Sequence, residues 1–299
     1  MKVSFVSSFY NNSNDVQRFY KELKKQIDEL GIEYEIILID DGSDDTTSIE
    51  LANLVELDQK VLAFQNIQNY GEQKSYTYAM SHATLEYVFI VESDLDIDTA
   101  NISKFINHMK ENPENDMVYA TINKTFVQQI SLSSLFFALF NKISNLKLPQ
   151  NAAWFRIINA KLIQNLDDFK EYEFHLAGTL SLLSKKEDTI IVKKNKSKSK
   201  YSIFSKYLLA VNTFINFTSK PLEAVLGFGF SFIIFNLIFL TYLIFFKLNF
   251  NPPPGWAGIM FGIFSTFTVL LVILGVLSLY VSKIYKEVRR VPAIISKKL

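Results

Sequence analysis

From Met1 to Val91, short apolar runs alternate with stretches whose apolar positions recur every three or four residues. Val3–Phe9 reads as a strand, and Asp15–Leu30 as a helix opened by Asn14 and closed by Gly31. Tyr34–Ile39 is a second strand running into Asp40-Asp41-Gly42-Ser43, and a helix follows through Leu57. Val61–Gln65 is a third strand, Asn69–Gly71 a turn, Glu72–His82 a helix, and Tyr87–Val91 a fourth strand ending at Glu92-Ser93-Asp94. This alternation predicts an α/β fold with a mostly parallel sheet and helices on both faces. Polar residues recur at the carboxyl ends of its strands, where open α/β sheets place their ligand crevice.

A different pattern occupies the C-terminal third. Leu226–Phe246 and Trp256–Val281 are apolar runs without a charge. At about 1.5 Å of rise per residue the shorter covers roughly 31 Å, enough to cross a hydrocarbon core of about 30 Å. Lysines and arginines flank the pair on both outer sides, while the connector holds Lys247 and the breaker Pro252-Pro253-Pro254. Basic flanks stay on the cytoplasmic side. The expectation is a multi-pass protein of the cytoplasmic membrane with its front domain and both termini in the cytoplasm. A buried hairpin in a soluble protein is the plainer alternative, but such helices seldom run this long without a polar stripe.

Two amphipathic stripes precede the spans, one over Leu132–Leu146 and one over Tyr201–Thr218. The second reads as a helix lying on the bilayer surface; the first suits core packing equally well. The organisation is then a domain over 1–200, a juxtamembrane helix over 201–221, spans over 222–247 and 256–282 joined by 248–255, and a basic tail over 283–299.

Composition adds exclusions. The net charge of +1 hides a basic membrane-proximal segment, and because those lysines bracket the spans they suit anionic headgroups or phosphates better than nucleic acid. The absence of cysteine excludes disulfides and thiolate metal sites. His82, His108 and His175 are scattered and read as structural. A transporter is disfavoured, since neither span carries an ionisable residue.

Taken singly, the strand-end motifs have plain readings. Asp-Gly-Ser after a strand is a turn with a helix cap, and the acids from Glu92 to Asp98 are a solvated loop. Taken in order ahead of a membrane anchor, they compose a site. Ser7-Ser8-Phe9-Tyr10-Asn11-Asn12, Tyr34 through Ser43, Asn69-Tyr70-Gly71 and Glu92-Ser93-Asp94-Leu95 together resemble the nucleotide-sugar domain of family 2 inverting glycosyltransferases, which have a GT-A fold. Phe155-Arg156-Ile157, Ser199-Lys200-Tyr201, Thr218 through Leu222 and the hairpin resemble, more narrowly, the polyprenyl-phosphate branch typified by dolichyl-phosphate mannose synthase.

The resemblance implies that Phe9, Tyr10, Asn11, Asp40, Asp41, Gly42 and Ser43 hold the nucleoside, with Asn69 and Gly71 near the diphosphate. It implies that Asp94 and Glu92, with Asp96 as an extra ligand, hold Mg²⁺ or Mn²⁺, and that Arg156, Lys124, Lys198 and Lys200 receive an acceptor phosphate. Asp94 and Arg156 are the expected catalytic residues. Carboxylates suit the cation that stabilises a departing nucleoside diphosphate, and arginine's planar fork suits a phosphate.

Four positions depart from the family pattern. Glu92 stands for an aspartate, Asp96 for a glutamine, Trp154 for the aspartate before Phe-Arg, and Ile122 for an arginine. Loss of a base at 154 favours a phosphate acceptor, since a phosphate monoester with a second pKa of about 6 is already anionic at neutral pH. The expected reaction is sugar transfer from a nucleotide sugar to a polyprenyl phosphate such as undecaprenyl phosphate, at the cytoplasmic face of the lipid bilayer. The alternatives are transfer to a hydroxyl of a lipid-linked saccharide, and a degenerate membrane scaffold. Sugar, base and homo-oligomeric state stay open.

Overall fold

The computed structural model describes residues 1–122, 152–164, 176–194, 255–288 and 294–299, with further positions between 227 and 249. The chain divides into two compact units, one of Met1–Lys142, Leu146–Lys206 and Val291–Leu299, the other of Ile143–Asn145 and Tyr207–Arg290.

The first unit is built on one sheet. Its strands are β1 (Lys2–Phe9), β2 (Glu33–Asp40), β3 (Val61–Asn66), β4 (Tyr87–Ile90), β5 (Met117–Ile122), β6 (Ala152–Asn159), β7 (Glu187–Val192) and β8 (Ser296–Lys298), in the order β7-β5-β6-β4-β1-β2-β3-β8. The centre, from β4 through β3, is parallel, as expected. The sheet as a whole is mixed: β6 runs antiparallel to β4 and β5, and β8 antiparallel to β3.

Helices α1 (Ser13–Leu30), α2 (Thr47–Leu57), α3 (Glu72–Ser81), α4 (Ile102–Glu111), α5 (Ala160–Gln164) and α6 (Leu176–Leu183) cover both faces. The period of two decides which side chain goes where. Val3, Phe5 and Phe9 of β1 and Ile36 and Leu38 of β2 meet Val16, Phe19, Leu23 and Ile27 of α1 on one face. Val6, Ile37 and Ile39 meet Tyr76, Ala79 and Met80 of α3 on the other. The buried positions of α1 fall at spacings of three and four, giving one apolar stripe. α1 ends where Gly31 takes φ 57°, and its N–H returns to the Ile27 carbonyl at 3.1 Å. The helix begins at Ser13, two residues ahead of the position read from the sequence.

Register places the chemistry. Phe9 pairs with Asp40, Asp40 with Gln65, and Val6 with Ile90, so the ends of β1 to β4 open on one edge. Ile90 pairs in turn with Arg156, which brings β6 to the exit of β4. Beneath this rung Phe89, Phe105 and Phe155 pack edge to face with centroids 5.0 to 5.8 Å apart, a buried aromatic floor.

Among the described residues of the second unit, α7 (Trp256–Val288) is a helix whose stretch Ser265–Ser282 is long and apolar enough, by length and composition, to cross a membrane. Ile263, Phe267, Leu270, Leu271 and Leu274 are all exposed, so its surface is apolar well beyond a single stripe. It continues beyond the expected span into the segment that holds Lys283 and Lys286. The positions described within the other expected span, Leu226–Phe246, are all helical, whereas both amphipathic stripes and Lys124, Lys198 and Lys200 lie outside the described residues.

Candidate active site

The loop after β1 and the loop after β2 are stitched together. Asn11 takes φ 49°, a left-handed conformation that Asn tolerates, and its N–H donates to Ser43 Oγ at 2.9 Å. Its side-chain oxygen accepts the N–H of Asp44 at 2.9 Å. Asp40 accepts the Ser43 N–H at 3.0 Å, the Ser43 hydroxyl, and Gln65 Nε2 at 3.2 Å. Burial nevertheless raises its pKa above the usual carboxylate value, against the pull of those bonds. Tyr10 presents its ring to solvent at 48% exposure, a surface on which a base could stack, whereas Phe9 is buried against Phe19.

Asp41 does something the sequence did not disclose. At 2% exposure it faces inward, accepting the N–H groups of Tyr70 and Gly71, each at 2.9 Å, and Asn66 Nδ2 at 2.8 Å. One carboxylate therefore anchors the Asn69–Gly71 turn at Tyr70 and Gly71. Gly42 lets that turn approach: at φ 71°, a Cβ there would stand 2.3 Å from the backbone carbon of Gln68. Asn66, at the end of β3, was missed from sequence, although the polar-residue-at-strand-end rule that marked Asp40 applies to it equally.

At the exit of β4 the three expected metal ligands part company. Asp94 is exposed, with one oxygen accepting the Asp96 N–H at 3.1 Å. Asp96 is 8% exposed and pairs with Lys194 at 3.0 Å, tying this turn to the segment after β7. Glu92 is half-buried, with Oε1 accepting the Trp154 N–H at 3.3 Å and Oε2 buried without a partner. Burial lifts the Glu92 pKa to about 7; Lys194 pulls it down and Asp94 pushes it up. Leu95, between them, holds φ 53°, a strained value for a leucine. Lys194, read from sequence only as part of a basic patch, is a cation of this corner; burial opposes its charge, but Glu92 and Asp96 raise its pKa overall.

Among the described residues no three Asp, Glu, His or Cys side chains converge on one point. The residues present still suit a divalent cation that is only partly held by protein. Exposed Asp94 and the unsatisfied Glu92 Oε2 are acceptors, and a hard cation such as Mg²⁺ is commonly bound by one or two carboxylates plus substrate phosphates.

Arg156 faces this corner from β6. It is 3% exposed, stacked 4.6 Å from the Trp154 ring centroid, and Nη2 donates to the Ala153 carbonyl at 2.9 Å. Its Nε is buried without a partner. Burial lowers its pKa to about 10, which leaves it cationic at neutral pH. Trp154, read from sequence as a missing base, is thus the residue that holds Glu92 with its backbone and Arg156 with its ring. Tyr76 packs on the same indole at 5.7 Å and donates its hydroxyl to Glu72 at 3.0 Å.

Comparison with known proteins gives the family. The family model for glycosyl transferase family 2 matches residues 4–166, more than half of the chain. A bactoprenol glucosyl transferase of Shigella phage SfII is 26% identical over 305 residues, covering 100% of this chain and 98% of that protein. A protein of Mycobacterium tuberculosis described as putative glycosyltransferases is 24% identical over 304 residues, covering 100% of this chain and 88% of its own length. Among solved structures, mannosyl-3-phosphoglycerate synthase from Rubrobacter xylanophilus superimposes with a TM-score of 0.49 at 11% identity, over 71% of each chain. The chain belongs to glycosyl transferase family 2 and is a glycosyltransferase.

Proposed function

We propose that this enzyme moves a sugar from a nucleotide sugar to a polyprenyl phosphate at the cytoplasmic face of the membrane, with inversion at the anomeric carbon. The observation that carries the reading is the rung pairing Ile90 with Arg156. It sets a guanidinium with an unsatisfied Nε beside the turn that bears Glu92 and Asp94, so groups for a cation and groups for an anion share one edge. The end-to-end match to a bactoprenol glucosyl transferase supports a polyprenyl phosphate as the anion.

The residues divide the work. Tyr10, Asn11, Asp40 and Ser43 form the wall for the nucleoside, and Asp41 holds the Asn69–Gly71 turn toward the diphosphate. Asp94 and Glu92 are the carboxylates that would hold Mg²⁺ or Mn²⁺, which when bound supplies Lewis-acid stabilisation of the charge on the leaving diphosphate. Arg156, whose buried Nε an incoming phosphate would satisfy, orients the acceptor. A dianionic phosphate then attacks without surrendering a proton.

Topology supports the membrane placement. Strand β8 belongs to the same sheet as β1 through β7, so the chain after α7 is on the same side of any membrane as the front domain. If α7 crosses, a second crossing is required between Lys194 and Gly255, and Leu226–Phe246 is the apolar run of the needed length. The domain limits 1–200, 201–221, 222–247, 248–255, 256–282 and 283–299 follow that reading.

One observation favours a second acceptor class. Glu92, with a pKa of about 7, is poised as a general base and would suit a hydroxyl of a lipid-linked saccharide. Incubating the full chain with Mg²⁺, radiolabelled nucleotide sugars and undecaprenyl phosphate separates the readings. Label that partitions into organic solvent and is released by mild acid is the expected result; no such label from any donor contradicts the proposal, and an acid-stable product points to a hydroxyl.

A further inference from the structure

Residues 296–299 reach the site by a route the proposed chemistry does not use. Strand β8 lies antiparallel on β3, with Phe64 opposite Lys298, Gln65 opposite Lys297 and Asn66 opposite Ser296. The Ile67 N–H donates to the Ile295 carbonyl at 3.1 Å and the Leu299 N–H to the Ala63 carbonyl at 2.9 Å, so the tail is fastened at both ends. Leu299 packs against the core on the α1 face.

The Ser296 hydroxyl donates to Asn66 Oδ1. That bond matters because the Asn66 amide has two different ends. With its oxygen engaged by Ser296, its NH₂ is turned toward Asp41 Oδ1 at 2.8 Å and Ser75 Oγ at 2.9 Å. Asp41 in turn accepts the N–H groups of Tyr70 and Gly71. Asn66 and Asp41 are each 2% exposed, so water cannot readily replace a missing partner. A continuous chain of hydrogen bonds therefore runs from Ser296 of β8 to the turn after β3.

We infer that Ser296 is a positioning residue: the C-terminal strand, through Asn66 and Asp41, sets the Tyr70–Gly71 turn in the conformation that receives the donor's diphosphate. The link to the diphosphate rests on the proposed function; the mechanical coupling does not. A strand that follows α7 thereby contributes to substrate affinity without touching substrate. Strand β8 is part of the donor site's support, and its removal acts on donor binding.

The test uses the full chain in detergent, a Ser296→Ala variant, a Ser296→Thr variant that keeps the hydroxyl, and a chain ending at Ile295. Amide exchange at Tyr70 and Gly71 reports the turn with no ligand present, and calorimetric titration with UDP and with GDP reports the site. Ser296→Ala and the truncation are expected to speed exchange at these two amides about tenfold, the size of one lost buried hydrogen bond. They are expected to weaken the nucleotide that binds by roughly 3- to 10-fold, with the donor KM rising and kcat nearly unchanged, while Ser296→Thr restores both. Unchanged exchange in both the alanine variant and the truncated chain overturns the inference, and so does faster exchange with undiminished nucleotide affinity. If exchange responds but neither nucleotide binds the unaltered chain, the coupling stands and the donor reading fails.

Discussion

The backbone N–H of Trp154 donates to Glu92 Oε1 at 3.3 Å, carrying the β4–β6 pairing past the end of the ladder and into the candidate site. Through this contact a residue on the antiparallel strand decides where the first carboxylate of the turn points. The free Oε2 is left as the acceptor for a proton or a cation.

Glu92 then makes stability depend on pH. Its folded pKa of about 7 lies above the 4.5 of an unperturbed glutamate, burial being the main cause. The folded state binds the extra proton, so this contribution is complete below about pH 4.5 and is lost as the pH rises through 7. In EDTA, Glu92→Gln should match the parent near pH 5 and unfold at a higher temperature at pH 8. The gap corresponds to on the order of 3 kcal/mol, read from thermal melts across that range.

Arg156 separates function from stability. A buried cation with one hydrogen bond and an unpartnered Nε is costly to keep, and an apolar residue of similar length can replace it with little loss. Arg156→Met should leave the melting temperature unchanged or higher. It should also reduce kcat/KM for undecaprenyl phosphate by roughly 100-fold, as removal of a charge-assisted contact does. Arg156→Lys, which keeps charge but loses the planar fork and the stacking on Trp154, should fall between.

Among the described glycines, Gly42 leaves the least room for a side chain. Gly42→Ala combines a left-handed backbone with a Cβ 2.3 Å from the Gln68 backbone carbon, so the turn must move. The expected cost is at least about 2 kcal/mol, with weaker donor binding, measured by denaturant melts and by donor KM. Gly31→Ala has the same sign of φ but open space around the new methyl, and should cost less.

These residues also mark how far the sequence could be read. Strands β1 to β4 and their helices were legible because short apolar runs, as parallel strands covered on both faces have, alternate with stretches of period 3.6, and Gly31 closes α1 as a left-handed cap. The strand-end rule led to Asp40, Asp41, Glu92 and Asp94. It could not say that Asp41 turns inward to hold a loop, since that follows from the backbone N–H groups of Tyr70 and Gly71 arriving from 29 and 30 residues away. The parallel centre was expected, but the antiparallel insertion of β6 was not: a strand pairing between Ile90 and Arg156 leaves no local signature. Strand β8 was hidden more thoroughly. Ser296-Lys297-Lys298 has the composition of a solvated basic tail, and only the unpaired edge of β3 makes it a strand.

Asp94 should be the residue on which cation dependence turns. Exposed beside Glu92, it is free to hold Mg²⁺ or Mn²⁺ with the donor's diphosphate. Asp94→Ala should abolish the increase in nucleotide affinity that Mn²⁺ produces in the parent, while Asp96→Asn, which relaxes the pairing with Lys194, should lower it by a few-fold only. Nucleotide titrations with and without Mn²⁺ read both.

An edge that joins an activated sugar to a lipid phosphate must discriminate between a phosphate and an alcohol on the same lipid. The most direct measurement of this compares undecaprenyl phosphate with undecaprenol as acceptor for the same full chain, donor and Mg²⁺, counting label in the organic phase. The account predicts transfer to the phosphate and none above background to the alcohol. Equal transfer to both, or transfer to the alcohol alone, would contradict it.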